Sequence, residues 1–144
     1  MASAADEGVT PSPPWSTDTD SLETLRRQLR GFAAAREWDQ FHTPRNLALA
    51  MVGEVGEVCE LFQWKAETRP GLPDWSERER LRLGEELSDV LMYLVRLADK
   101  CDIDLPAAVK RKLERNDEKY PADRVRGSSK KYSEYESAHT APEE

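Results

Sequence analysis

Four carboxylates in the middle of the chain form two pairs whose spacing suits the binding of a divalent cation. Glu54 and Glu57 are three residues apart, and so are Glu86 and Asp89. Residues three apart share one face of an α-helix, so each helix would present its two acids together. Like charges at this spacing repel one another, and partial burial adds to the cost. Because carboxylate oxygens suit hard cations, the two pairs predict a Mg²⁺ site.

Each pair borders an apolar stripe of its helix instead of lying opposite that stripe. Val55 and Val58 flank the first pair, and Leu87 and Val90 flank the second. If the two helices pack through these stripes, all four acids meet in one cleft. The alternative is that they are solvated surface acids, as acids on helices usually are.

Two glycines and two further acids lie close to these pairs. Gly53 and Gly56 bracket Glu54 within one helix, and each costs about 1 kcal/mol relative to alanine. Such a cost indicates that a ligand or a neighbouring helix approaches the backbone closely. Glu60 is either a fifth metal ligand or a solvated acid. The position of Glu85 favours a surface acid or a residue that contacts the metal ligands from outside.

The segments that must position these acids all have helical periodicity. Apolar residues recur at helical spacing in four segments, about 21–33, 44–65, 76–98 and 104–120. The connection at 66–75 contains two prolines and a glycine and is predicted to be a loop that packs Trp75. No alternating run of β-branched residues predicts a strand. The fold class is therefore all-α, resembling a four-helix bundle.

Capping signals indicate where two of these helices begin. Ser76 with Glu79 three residues later is typical of a capping box at the start of the third helix. The same motif, with Glu23 as the acid, predicts that the first helix begins at Asp20 or Ser21.

Charge is unevenly distributed along the chain and argues against one class of partner. The net charge is -7 at pH 7, and the segments 1–20 and 133–144 hold acids but no Lys or Arg. We interpret these two segments as acidic, disordered tails, and 21–132 as a single domain. Because the domain has no basic stripe, we expect no nucleic acid polymer as a partner.

The sequence also gives expectations about the compartment. No apolar run reaches about 18 residues, so no membrane span is expected. The first residues lack the charged and apolar regions of a secretory signal. Cys59 and Cys101 lie in apolar helical patterns and are expected to be reduced and buried. A cytoplasmic location is the resulting prediction.

The two acid pairs resemble the metal motif of the MazG-like, all-α nucleoside triphosphate pyrophosphatases. The similarity covers roughly 21–132 and includes EWDQFH at 37–42, PRNL at 44–47, GEVGE at 53–57, LFQWK at 61–65, EELSDV at 85–90, YLV at 93–95, DLP at 104–106, YP at 120–121 and SSKKY at 128–132. The tryptophan segments make it more specific than the acids alone. The resemblance implies hydrolysis of dCTP to dCMP and pyrophosphate by a homotetramer built from helical dimers. It also implies Mg²⁺ on Glu54, Glu57, Glu86 and Asp89.

Substrate-binding residues follow from the same resemblance. The connection before the second helix is expected to close the nucleotide pocket with Trp38, Asp39, Gln40, Phe41 and His42. Trp64 lies seven residues after Glu57, about 10.5 Å along the same face at ~1.5 Å per residue. Tyr93 lies four residues after Asp89. Either ring could stack on the base, with ordinary core packing as the alternative.

Groups for the outer phosphates are expected on the fourth helix. Lys112, Asn116 and Lys119 form one polar row there and match the family's phosphate-side positions, although arginine is common where Lys119 stands. A solvated lysine face is the alternative. The family commonly has a histidine where this chain has Leu29, so one base or sugar contact is expected to differ.

Three functional hypotheses remain at this point. The first is a dCTP-preferring pyrophosphatase that removes excess or modified cytosine nucleotides. The second is a related enzyme that acts on dUTP or on a broader set of triphosphates, since hydrogen bonds in the pocket decide base choice. The third is a non-catalytic helical oligomer that binds nucleotides, which the presence of all four acids disfavours.

Overall fold

Helices make up the regular structure of the described part of the chain. The structure is a computed structural model and describes residues 21–128. Its elements are α1 (Leu22–Ala34), a 3-10 turn (Trp38–Gln40), α2 (Pro44–Gln63), α3 (Glu77–Lys100), α4 (Leu105–Lys119) and α5 (Ala122–Val125). Because 21–128 contain no strand, the all-α prediction is confirmed. No helix in this range has both the length and the hydropathy of a membrane span.

Side-chain caps fix the starts of the longer helices. At α3, Glu79 N donates to Ser76 Oγ and Ser76 N donates to the Glu79 carboxylate at 2.8 Å, which confirms the predicted capping box. At α1, Ser21 Oγ accepts from Thr24 N at 3.3 Å. The capping box predicted through Glu23 is wrong, because Thr24 occupies the third helical position. Glu23 pairs instead with arginines of the following turn.

The chain divides into two compact units, Met1–Cys101 and Asp102–Glu144. In the first unit, α2 and α3 form the main packed pair, and α1 packs against α3. In the second, Asp104 caps α4 by accepting from Ala107 N at 2.9 Å. The buried apolar residues of the described chain are Ala33, Leu47, Trp75, Val95 and Ala98. The tails predicted at 1–20 and 133–144 lie outside the described residues.

Large apolar side chains of α2 and α3 remain exposed in the single chain. Val52 on α2 is 66% exposed and Leu81 on α3 is 64% exposed. Leu87, predicted to pack between the helices, is also exposed. An added Cβ at Gly53 or Gly56 would meet no heavy atom of the described residues within 4 Å. Nothing in the described part of one chain therefore requires glycine at these two positions.

Both cysteines are free thiols. The prediction that they are buried is wrong, because Cys59 and Cys101 are exposed. Cys59 lies on α2, whose apolar residues are incompletely covered, and Cys101 caps the end of α3.

The loop between α2 and α3 is anchored by Trp75. This side chain is buried, and its ring lies 4.9 Å from that of Phe62. Lys65 Nζ lies 5.0 Å from the Trp75 ring centroid and also pairs with Glu79 of the capping box. The predicted packing of Trp75 in the loop is confirmed, and it holds the end of α2 against the start of α3.

Candidate active site

Three carboxylates form an acidic cluster, which comprises Glu54, Glu57 and Glu86. One oxygen of each lies within 4.8 Å of the others. Glu54 and Glu57 share a face of α2 through their spacing, and the packing of α2 against α3 brings Glu86 to them. Glu54 and Glu86 are half-buried, whereas Glu57 is exposed.

Burial and mutual repulsion disfavour the ionised form of the carboxylates in the acidic cluster. Burial raises the pKa of Glu54, and the charges of Asp89, Glu57 and Glu86 raise it further. Burial, followed by the charges of Glu57 and Asp89, raises the pKa of Glu86 in the same way. Asp89 therefore lies close enough to act on both groups, although it does not belong to the trio of mutually close oxygens.

This set of side chains fits a hard divalent cation. All the donors are carboxylate oxygens, which Mg²⁺ and Ca²⁺ prefer. A cation would also offset the repulsion that raises the pKa values of Glu54 and Glu86. Glu54, Glu57 and Glu86 would hold the ion, and Asp89 is the fourth predicted ligand.

A cavity of about 470 Å³ lies between α1, the 3-10 turn and α3. This volume is within the range of roughly 300–1,000 Å³ that small-molecule sites occupy. Its lining is mostly apolar and aromatic, with a few polar groups. The lining residues are Leu25, Gln28, Leu29, Phe32, Trp38, His42, Asp89, Met92, Tyr93 and Arg96. Because Asp89 lines the cavity and acts on the acidic cluster, it joins the two parts of the site.

Three predicted pocket residues, Trp38, His42 and Tyr93, come together in this cavity. Glu37 adopts the left-handed conformation, with φ 55°, and precedes the 3-10 turn that carries Trp38. The Trp38 ring lies edge-on to Phe32 at 5.8 Å and 6.1 Å from the His42 ring. The turn thus supplies one aromatic wall of the cavity.

The other predicted pocket residues lie outside the cavity lining. Asp39 forms ion pairs with Arg96 and Lys100. Gln40 Nε2 donates to the Glu37 carbonyl at 2.9 Å. Phe41 and Trp64 are largely exposed, Trp64 at 88%. Leu29 does line the cavity, so the expected departure from the family falls within the pocket wall.

The predicted phosphate-side residues all lie on α4, in the second compact unit. Asn116 is half-buried, and its carbonyl accepts from Tyr120 N at 2.7 Å. Lys119 Nζ lies 5.4 Å from the Tyr120 ring centroid. Lys112 is exposed. Their role in binding phosphate stays a prediction.

Arg96 is a site residue that the sequence reasoning missed. It lines the cavity although only 4% of its surface is exposed. Its guanidinium donates to Asp39, to Asp99 at 2.7 Å and to His42 Nδ1 at 3.2 Å. One signal could have found it, because the helical row from Asp89 through Tyr93 continues to Arg96.

A comparison with known proteins places this site in a family. The sequence model of the MazG-like family matches residues 50–135, which contain all four predicted metal ligands. The chain belongs to the MazG-like family. A relative from Homo sapiens named dCTP pyrophosphatase 1 is 59% identical over 79% of this chain and 67% of its own length. One of the same name from Bos taurus is 51% identical over 93% of this chain and 80% of its own.

A solved structure of another protein has a similar fold. A pyrophosphatase from Archaeoglobus fulgidus is similar with a TM-score of 0.64 and 39% sequence identity. The match covers 75% of this chain and 99% of that protein. The prediction of a MazG-like helical fold is therefore confirmed.

Proposed function

We propose that this MazG-like chain is a pyrophosphatase that hydrolyses dCTP to dCMP and pyrophosphate. The observation that carries the proposal is the acidic cluster, whose three oxygens lie within 4.8 Å of one another. The cluster is joined through Asp89 to a cavity of a size suited to a nucleoside. Identities of 51–59% to relatives named dCTP pyrophosphatase 1 supply the choice of substrate.

The proposed reaction divides the site into two parts. Glu54, Glu57 and Glu86, with Asp89, are proposed to hold Mg²⁺, which when bound neutralises phosphate charge and lowers the pKa of a bound water. Trp38 and Tyr93 line the cavity with aromatic rings that can stack on the base. The largely apolar lining lowers the local dielectric constant around the base, which strengthens the hydrogen bonds that determine which base is bound.

An assay of pyrophosphate release tests the proposal. The full chain is incubated with Mg²⁺ and each deoxynucleoside and ribonucleoside triphosphate, and pyrophosphate and monophosphate are quantified. We expect dCTP to have the highest kcat/KM. Equal or faster hydrolysis of dUTP would favour the broader pyrophosphatase. No hydrolysis of any triphosphate would leave the non-catalytic nucleotide-binding oligomer.

Divalent cation is expected to raise the Tm of the full chain. A ligand that binds only the folded state adds about 2.7 kcal/mol at a concentration one hundred times its Kd. We expect Mg²⁺ to raise the Tm of the wild type and of Glu60→Gln equally, and to raise that of Glu57→Gln much less. Glu60 is a matched control because it is an exposed acid on α2 outside the acidic cluster. Differential scanning calorimetry measures the shift, and equal shifts in both variants would contradict the assignment of Glu57.

The homotetramer is also part of the proposal. Leu49, Val52, Leu81 and Leu87 leave apolar area exposed on α2 and α3, and such patches commonly mark association surfaces. Open space at Gly53 and Gly56 would let a second helix approach closely. The cytoplasmic location stays a prediction.

Replacing Val52 with aspartate is expected to lower the molecular mass of the oligomer in solution, because it places a charge among the exposed apolar side chains of α2 and α3. Sedimentation velocity at a fixed protein concentration measures the change. Glu85→Gln is the control, because Glu85 is an exposed acid whose replacement leaves the apolar area unchanged. A monomeric wild type, or an unchanged mass in Val52→Asp, would overturn the proposed association through this face.

A further inference from the structure

The contacts of Arg96 define the chemical state of His42, a cavity residue on a different segment of the chain. Arg96 Nε donates to His42 Nδ1 at 3.2 Å. The guanidinium is held on its other side by Asp99 at 2.7 Å and by Asp39. Because the Arg96 and Asp99 side chains are only 5% and 3% exposed, water does not compete with this arrangement. Arg96 therefore cannot easily turn away from the imidazole.

A guanidinium offers donors and no acceptor, and it stays protonated throughout the physiological pH range. The nitrogen that faces it, His42 Nδ1, must therefore accept and carry no proton. A neutral imidazole has one N–H, so the proton is on Nε2. Among the described residues, Nε2 has no hydrogen-bond partner, which leaves its N–H available to a ligand.

The charges around His42 favour this neutral form. Burial lowers the pKa of His42, and the positive charge of Arg96 lowers it further. Lys100 acts in the same direction, whereas Asp39 acts against them. One further charged group, the carboxylate of Asp89 on α3, lines the same cavity as His42.

We propose that Arg96 is a positioning residue that holds His42 as a fixed Nε2–H donor, and that this donor selects a pyrimidine whose ring N3 is an acceptor. Cytosine has an unprotonated N3 that accepts a hydrogen bond. Uracil and thymine carry a proton on N3, so their N3–H group would face the Nε2–H group of His42, and neither would have an acceptor. A buried donor without an acceptor is costly, so the arrangement discriminates between the bases. The selection of cytosine rests on the proposed function, but the state of His42 does not.

Nuclear magnetic resonance on the full chain tests the tautomer directly. Long-range ¹H–¹⁵N spectra distinguish protonated from bare imidazole nitrogens, and the chain has only two histidines, so His42→Gln assigns the signals. We expect a bare Nδ1 and a protonated Nε2 in the wild type at pH 7 to 8. In Arg96→Gln we expect a mixture of tautomers and a raised His42 pKa. A protonated Nδ1 or a mixture in the wild type would overturn the proposal, whether or not the chain is an enzyme.

Titration with the monophosphates dCMP and dUMP tests the selection without relying on turnover. We expect dCMP to shift the His42 Nε2 resonance and to bind roughly 10–100-fold more tightly than dUMP, as expected for one mismatched buried hydrogen bond. Equal affinity, or no response at His42 to either compound, would overturn the selection. If dCTP is not hydrolysed but these shifts occur, only the proposed function fails.

Two amide variants of His42 provide matched controls. The glutamine amide nitrogen reaches the position of Nε2, whereas the shorter asparagine amide reaches the position of Nδ1. We expect His42→Gln to retain the preference for dCMP over dUMP within a few-fold, and His42→Asn to lose it. Arg96→Lys keeps the positive charge but loses the planar guanidinium, whose N–H donors point in fixed directions. We therefore expect it to reduce the preference for dCMP over dUMP while the circular dichroism spectrum stays unchanged. Equal preference in all three variants would contradict the role of the Nε2–H group.

Discussion

Glu54→Gln is expected to reduce kcat for dCTP by on the order of 10³-fold. A bound divalent ion contributes several kcal/mol of charge stabilisation in the transition state, and about 1.4 kcal/mol corresponds to a tenfold change in rate. Glutamine keeps the shape of the side chain but removes the charge that would hold the ion. Steady-state kinetics at saturating Mg²⁺ measure the loss.

The same variant should remain folded, and this separates a role in chemistry from a role in structure. Burial and neighbouring acids raise the pKa of Glu54, so its charge destabilises the metal-free chain. Removing that charge is expected to leave the metal-free Tm unchanged or higher. Glu60→Gln is the control and should retain full activity. Loss of the helical circular dichroism signal in Glu54→Gln would mean that this acid is structural.

Asp99→Asn is expected to lower the free energy of unfolding by about 3 kcal/mol, because breaking a buried ion pair on one side is strongly destabilising and the buried Arg96 would keep one carboxylate partner, Asp39, among the described residues. Asp99 is 8% exposed and accepts from Arg26 at 2.7 Å, from Arg30 at 2.5 Å and from Arg96 at 2.7 Å. Arg26 and Arg30 can turn toward water, but buried Arg96 cannot. Urea titration at a fixed protein concentration measures the change.

Asp74→Asn is the matched control for this substitution. Asp74 pairs with Arg69 at 3.1 Å, but both side chains are largely exposed. Exposed pairs contribute at most about 1 kcal/mol, so we expect a small effect. Similar losses in Asp99→Asn and Asp74→Asn would contradict the importance of the buried ion pair between Asp99 and Arg96.

The ion pairs of Asp99 also predict how the stability of the fold responds to low pH. Burial by itself would raise the pKa of Asp99, but hydrogen bonds from Arg30 and Arg26 outweigh it and lower the pKa to about 2. A depressed carboxyl pKa stabilises the fold above the unfolded value of about 3.9 and loses this contribution as pH falls through the folded value. We expect wild-type stability to fall between roughly pH 4 and pH 2, and to fall less steeply in Asp99→Asn.

Local signals predicted the helices and the closeness of Glu54 and Glu57 well, because both depend on near neighbours in sequence, whereas Glu86 reaches these two acids only through the packing of α2 against α3. The Ser76 capping box and the three-residue spacing of Glu54 and Glu57 are properties of single helices. The outcome for Trp64 and Cys59 depends instead on which helix faces are covered. Periodicity marks an apolar face but does not say whether another helix of the same chain or a second copy covers it.

The Arg96 network was missed for a related reason. Two of its partners, Asp39 and His42, lie more than fifty residues away in sequence. Only the packing of the 3-10 turn against α3 brings these groups together. The position of Arg96 in the helical row that begins with Asp89 and Tyr93 is the one local sign of this network, and it does not identify the partners.

The double position of Asp89 has a thermodynamic consequence. One carboxylate both borders the cavity and acts on the pKa values of the acidic cluster. An occupant of the cavity is therefore expected to bind with an affinity that depends on the proposed ion, and by reciprocity to alter the affinity for that ion by the same factor. Even a nucleoside without phosphates would be expected to bind with cation-dependent strength.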